Sequence, residues 1–393
     1  MLTGWSRWGA PVATMAVVSI ATSYSWPMFA LLMERAGYSG AAIGLNATLA
    51  ALMMVVAAPI LPAVMARTGL IPLMLGAGAV SAMALMAVPL ADNIVWWSLL
   101  RMVLGLTITA MFFASEYWLV EIAPAERRGR IVALYAIILS VSFALGPLML
   151  DWVGFETIWT YALPAGIVLV GLWPVWQGRR HAPEGRAEQP ASPRETLGYF
   201  RSDPLILWGV VLFGMIEFGA MGLLSVWGIR SGVSEGASLG LLAWMAIGSV
   251  LFQLPVGWAA DRFDRRKLLA LAGAVSALAP MALMLSVGWY WAMVSAVVLW
   301  GGMAVSLYTL ALTELGARYD GSRLAAGNAA VVLAYGFGAF AAPAAFGQAM
   351  DWVPPDGLLW MAAGVALIYT SLALVRLAFV ARDPLDNADQ IRR

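Results

Sequence analysis

Gly37-Tyr38-Ser39 recurs 195 positions later as Gly232-Val233-Ser234, and Ala77-Gly78-Ala79-Val80 recurs at the same offset as Ala272-Gly273-Ala274-Val275. Glu121 with Arg130 is echoed by Glu314 with Arg323 at an offset of 193. Several stretches matching at nearly the same spacing are the mark of a duplicated unit. Both copies are too apolar for water: 62% of residues are hydrophobic and 11% charged, where soluble domains run near a quarter charged. The mean hydropathy is +0.82. A chain of this composition belongs in a bilayer.

Segments of about 20 apolar residues, long enough to cross as helices, fall at 11–33, 40–62, 70–90, 94–120, 131–150, 157–177, 204–227, 237–258, 268–287, 289–312, 325–347 and 358–380. The expected fold is therefore an all-α membrane protein of twelve transmembrane helices in two pseudo-symmetric six-helix bundles, residues 1–177 and 203–393. Parallel repeats related by an axis along the membrane normal suit transporters that rock two halves about a central site. The first segment has no small-residue cleavage site followed by soluble sequence, so it reads as a span and not as a removable signal. Between the halves, 178–202 is rich in Pro, Glu and Arg and reads as a flexible linker without an apolar stripe.

Positive charge is retained on the cytoplasmic side of a membrane. With the N-terminus inside, nineteen of the 23 basic residues fall in cytoplasmic segments, among them Arg67, Arg127, Arg128, Arg130, Arg262, Arg265, Arg266 and Arg323. Only Arg35 and Arg230 lie in outer loops, beside Asp92, Asp151, Glu156, Asp351 and Asp356. Both termini are expected to be cytoplasmic, in a bacterial inner membrane. The net charge of +1 sums two oppositely charged faces and gives no reason to expect nucleic acid. There is no cysteine, and the single histidine, His181, sits in the linker. Thiol chemistry is excluded, and no metal or other cofactor is expected.

Charges inside spans carry functional weight, since each costs several kcal/mol unless it faces a polar interior. Arg101 and Glu116 in span 4 and Glu217 in span 7 are such charges. Arg101 and Glu116 stand about 22 Å apart along the helix axis, too far for an ion pair, yet fifteen residues return them to within about 60° of one face. Glu217 lies near the bilayer midplane in Phe213-Gly-Met-Ile-Glu-Phe-Gly-Ala220. A carboxylate there that gains and loses a proton is what proton coupling requires, which makes Glu217 the first coupling candidate and Glu116 the second. Each could equally be a structural carboxylate, Glu217 bonded to the other bundle and Glu116 to the loop cluster. Arg101 is expected to organise span 4 or an anionic group, because guanidinium does not deprotonate.

Span 1 carries the polar run Thr22-Ser-Tyr24-Ser-Trp26-Pro27, where Pro27 is expected to open the helix locally. Thr22, Tyr24 and Trp26, with Tyr117, Trp118, Trp227, Asn328 and Tyr335, are the further cavity candidates. An aromatic cavity suits an amphipathic or hydrophobic organic molecule, although most of the 19 Trp and 22 Met should be belt and packing residues.

The loop after span 8 reads Gly257-Trp-Ala-Ala-Asp261-Arg262-Phe-Asp264-Arg265-Arg266-Lys267. It resembles the signature Gly-x-x-x-Asp-Arg-x-Gly-Arg-Arg of the major facilitator superfamily, with Asp264 where that family usually has Gly. Arg101-Met-Val-Leu-Gly105 is similar to the superfamily's Arg-x-x-x-Gly motif, and Pro124-Ala-Glu-Arg-Arg-Gly-Arg130 to its loop between spans 4 and 5. Phe143-Ala-Leu-Gly146-Pro147 resembles part of its antiporter motif but lacks the second Gly pair. The Glu121-to-Arg130 spacing, the 222–234 stretch and Asn328 look like the bacterial YcaD-type branch.

The resemblance covers essentially the whole chain and implies a gating loop. Asp261 would face the start of span 5 near Arg130 and Ile131, and Glu314 would be the partner of basic residues in its own bundle. The first-half loop keeps Arg67 but has Ala66 in the Asp position. As a bare alternative, the loop is a topology signal only. The expectation is a monomeric secondary transporter working by alternating access, as a proton-coupled antiporter exporting an amphipathic organic compound. Uptake or facilitated diffusion of a small metabolite is the alternative, and a receptor or scaffold without flux the alternative of another class. An enzyme is not expected, for want of a nucleophile or metal-ligand motif.

Overall fold

The computed structural model describes residues 2–122, 128–183, 193–319 and 321–380, which are almost wholly helical and hold no strand. In chain order the spans are span 1 (Leu2–Arg35), span 2 (Gly40–Ala57), span 3 (Leu70–Ala87), span 4 (Ile94–Ile122), span 5 (Arg128–Val153) and span 6 (Trp159–Gly178). The second half repeats them as span 7 (Pro204–Arg230), span 8 (Glu235–Ala260), span 9 (Arg265–Leu285), span 10 (Tyr290–Arg318), span 11 (Gly321–Trp352) and span 12 (Gly357–Val380). Eleven of these are long and apolar enough to cross a bilayer, and span 5 contributes the apolar stretch Ile137–Val153.

The sequence repeat is a repeat of helix ends. Span 1 stops at Gly37 (φ 78°) and span 7 at Gly232 (φ 82°), a left-handed backbone that glycine adopts freely. Gly37 N–H donates to the Glu34 carbonyl and Tyr38 N–H to Met33; Gly232 donates to Ile229 and Val233 to Gly228, each shifted by 195 positions. Ser39 then caps span 2 by accepting from Ala42 N–H, as Ser234 caps span 8 by accepting from Ala237 N–H.

Three local expectations are corrected. Span 1 runs unbroken through Pro27, because a proline within a long packed helix costs a hydrogen bond without ending the helix. Span 2 does not continue to 62: it ends at Ala57, and a separate helix, Leu61–Thr68, follows a turn at Ala58–Ile60. Pro59 and Pro62 each lack the N–H that would carry the helix on. The linker is not structureless throughout, since Pro193–Ser202 is a helix. Its short stripe of Thr196, Tyr199 and Phe200 packs inward, with the Tyr199 hydroxyl donating to the Arg323 carbonyl at 2.7 Å.

Among the described residues the halves meet chiefly through span 2 with span 11, span 5 with span 8, and span 1 with span 7. The first two are symmetry mates of each other. Spans 2 and 11 touch backbone to backbone: a Cβ at Gly40 would stand 2.6 Å from the Gly347 carbonyl oxygen, and one at Gly44 would collide with the Pro343 carbonyl. These contacts lie at the end of the bundle remote from the linker, called here the far end.

Candidate functional site

A cavity of about 1600 Å³ lies between the halves. At the far end its wall is Trp26 and Arg101; toward the linker it reaches Pro59, Gln253, Thr313 and, on the linker helix, Thr196 and Leu197. It therefore stops short of the far-end contacts and runs to the linker end of the bundle.

The far-end seal is ionic. Arg230 at the end of span 7 forms two hydrogen bonds to the Glu34 carboxylate, the shorter 2.7 Å, and reaches Asp351 of span 11 at 3.4 Å. Asp351 in turn accepts from the first two N–H groups of span 2, Gly40 at 2.7 Å and Ala41 at 2.8 Å. A carboxylate on the positive end of a helix dipole is held by both charge and hydrogen bonds. Arg35 closes the other side on Glu235 at 2.7 Å, and Asp151 of span 5 lies against Gly236 in the first turn of span 8. Further in, the Trp26 and Phe218 rings meet at 4.8 Å, joining span 1 to span 7.

Glu217 sits on a π-helical turn, Ile216–Ala220, inserted in span 7. Turns of this kind break helical register and recur at functional sites. The turn brings the Glu217 side chain to the cavity wall, where its Oε2 accepts from the Tyr335 hydroxyl at 2.7 Å. Around the pair stand Phe213, stacked on Tyr335 at 5.6 Å, Phe218 edge-on at 5.8 Å and Tyr308 at 6.2 Å. Of the sequence candidates, Glu217, Glu116, Arg101, Thr22, Trp26 and Tyr335 line the cavity together.

Arg101 is 5% exposed. Its Nη1 donates to the Ser25 carbonyl at 3.1 Å and its guanidinium lies 5.2 Å from the Phe29 ring centre. It thus fastens span 4 to the polar run of span 1. Glu116, by contrast, is exposed on the cavity wall and forms no hydrogen bond or ion pair with any described residue.

The remaining candidates lie elsewhere. Tyr24 and Trp118 are fully buried in helix packing, Trp118 among Ala10, Met65 and Met74. Trp227 is buried near the far end, its indole donating to Asp356 at 2.9 Å. Tyr117 is half-buried and Asn328 exposed, and neither reaches the cavity wall. Aromatic or polar identity marked them, but which face of a long helix they occupy decided otherwise. Tyr308, Phe213 and Phe218 were missed. Tyr308 is the repeat mate of the lining residue Phe113, 195 positions earlier, and that offset could have found it.

At the linker end, Asp264 takes the N-cap of span 9, accepting from Arg266 N–H at 2.8 Å, which is what an Asp offers in place of the motif's glycine. Arg265 donates to the Ala260 carbonyl at 3.1 Å and to Glu314 at 3.4 Å. Glu314 also holds Arg318, which reaches Asp203 at 2.7 Å; its partners are thus Arg265 and Arg318, while Arg323 is exposed. Arg262 lies over the Trp258 ring at 4.1 Å. Asp261, after the last turn begun at Gly257, is exposed, as are Arg67 and Glu121, and Arg266 is half-exposed. The side chains of Arg130 and Ile131, the expected seat of Asp261, lie outside the described residues.

The sequence model of the Major Facilitator Superfamily matches residues 12–248 and 232–392. Among curated relatives, the MFS-type transporter YfkF of Bacillus subtilis is 25% identical over 372 residues, covering 91% of this chain and 90% of its own. The MFS-type transporter YcaD of Escherichia coli is 28% identical over 282 residues, covering 71% and 72%. Solved structures with the same fold include the nucleoside transporter NupG, at a TM-score of 0.72 and 13% identity over 96% of this chain and 98% of that one. A bacterial homologue of the human lysosomal transporter Spinster matches at a TM-score of 0.70 and 13% identity, over 94% and 95%. Duplicated halves, a cavity sealed at one end and a family match over nearly the whole length agree: this multi-pass membrane protein belongs to the major facilitator superfamily.

Proposed function

We propose that the protein is a proton-coupled antiporter of the bacterial inner membrane, exporting an amphipathic organic compound by alternating access. The observation that carries the reading is Glu217, a carboxyl group on a π-helical turn in the middle of span 7, facing the cavity and accepting a hydrogen bond from the Tyr335 hydroxyl. A charge in that position is costly unless water, a counter-ion or a proton balances it. Loading and unloading a proton there ties the ionic state of the cavity wall to which end of the cavity is open. Transport then follows from two sets of contacts that exclude one another.

The linker end is read as cytoplasmic from the concentration of Arg residues in its loops. In the present state the cavity opens to that side and the ion pairs of Arg230 and Arg35 close the outer side. Substrate would enter from the cytoplasm, and protonation of Glu217 from outside would return the carrier. The lining, in which Phe and Leu are the commonest residues and Thr, Ser and Tyr hydroxyls are interspersed, supports an amphipathic cargo. The two six-helix halves, 1–177 and 203–393, act in this reading as the rocking units. The relatives are transporters, and an enzymatic role is set aside with them.

The test is flux in inside-out vesicles energised by a pH gradient, run against a panel of amphipathic compounds with and without an uncoupler. Accumulation that collapses with the gradient supports the reading; accumulation indifferent to the uncoupler contradicts it.

A further inference from the structure

Among the described residues lining the cavity, Arg101, Glu116 and Glu217 are the charged ones, and they are not equivalent. Arg101 is turned to structure, its guanidinium on the Ser25 carbonyl and the Phe29 ring. Glu217 is engaged by Tyr335. Glu116 alone stands exposed to the cavity without a hydrogen bond or ion pair to a described residue. It sits one helical turn from Phe112 and Phe113, which share its face of span 4. Tyr135 and Tyr308 line the same cavity and add two more aromatic rings to its wall. Placed about 9 Å from the linker-side end of span 4 at ~1.5 Å per residue, Glu116 meets whatever enters before Glu217 does.

An unpaired carboxylate beside aromatic faces is a receptor for positive charge, since rings attract cations through their quadrupole and do so more strongly when water is excluded. We infer that Glu116 is the docking carboxylate for the substrate, and that the substrate is a lipophilic organic cation, a charged nitrogen on an aromatic or aliphatic body. The inference rests on the reading of this cavity as the transport site and adds the charge of the cargo. Coupling and recognition then fall to different carboxylates, Glu217 and Glu116.

The test is equilibrium binding to the full-length protein in nanodiscs, using tetraphenylphosphonium and its anionic counterpart of the same shape, tetraphenylborate. The wild type is expected to bind the cation at least about tenfold more tightly than the anion, Glu116→Gln to lose at least about tenfold of the cation affinity, and Glu116→Asp to keep most of it. Glu116→Asp guards against a folding defect, because a merely structural role would respond to side-chain length more than to charge. Equal binding of the two probes, or an unchanged cation affinity in Glu116→Gln, overturns the inference even if proton-driven flux is found. Glu116-dependent cation binding without proton-driven flux upholds it and rejects the coupling reading instead.

Discussion

Asp351 joins the two halves at the far end, and Asp351→Asn should loosen that seal. The carboxylate accepts from Gly40 and Ala41 N–H at 2.7 and 2.8 Å and pairs with Arg230 at 3.4 Å. The substitution keeps one acceptor oxygen and removes the charge. Losing the charge at a helix N-terminus costs about 0.3–1 kcal/mol. Replacing two charge-assisted hydrogen bonds by a single neutral one costs about 1 kcal/mol more. The ion pair, with side chains 20% and 24% exposed, adds about 0.5 kcal/mol after solvent screening. The sum, about 2 kcal/mol, changes a two-state ratio roughly 30-fold in favour of states open at the far end. The chain has no cysteine, so a single Thr48→Cys, buried between spans 2 and 11 beside the Ala344 N–H, reports their separation to an impermeant thiol reagent. Labelling in the Asp351→Asn background should accelerate by at least tenfold. A rate within twofold of the parent would refute the idea that this carboxylate holds the seal.

Further outcomes follow from neighbouring geometry. Gly44→Ala sets a methyl against the Pro343 carbonyl and should accelerate Thr48→Cys labelling in the same direction, since backbone on both sides leaves no flexible side chain to yield. Asp203, whose side chain is 2% exposed and which accepts from Arg318 and Tyr319 at 2.7 Å each, fastens the linker to the end of span 10; Asp203→Asn should lower stability by about 2 kcal/mol, read as a drop of several degrees in thermal unfolding in detergent. Asp261→Asn, at a residue exposed in this linker-open state, should leave thermal stability unchanged while increasing thiol labelling of single cysteines on the linker side of the cavity, because it removes a carboxylate needed only when that end closes. Unchanged labelling would reduce the loop to a topology signal.

Much of this architecture is legible in sequence because it rests on local rules. Gly37 and Gly232 end helices, Ser39 and Ser234 begin them, and the offset between them is the duplication. Arg101, Glu116 and Glu217 declare themselves by being charged within spans, and all three reach the cavity. What the sequence hides is facing and pairing. Trp118 and Trp227 resemble cavity residues by type, yet two faces of one long helix differ by only a residue or two, and both side chains turn into packing. The seal of Glu34, Arg230 and Asp351 is invisible for a different reason: each sits at a helix end, where a charge is unremarked, and only the tertiary fold brings positions some 120 to 200 residues apart together. The π-helical turn that presents Glu217 packs against span 11 and has no sequence signature of its own.

The central claim is that Glu217 carries the coupled proton, and Glu217→Gln in proteoliposomes tests it most directly. The amide keeps the size and the hydrogen bond to Tyr335 but cannot titrate. With a transported compound in hand, the variant should catalyse exchange of labelled for unlabelled substrate at near the wild-type rate while failing to concentrate it against a gradient when a pH difference is imposed. Wild-type accumulation driven by that pH difference in Glu217→Gln would contradict the account.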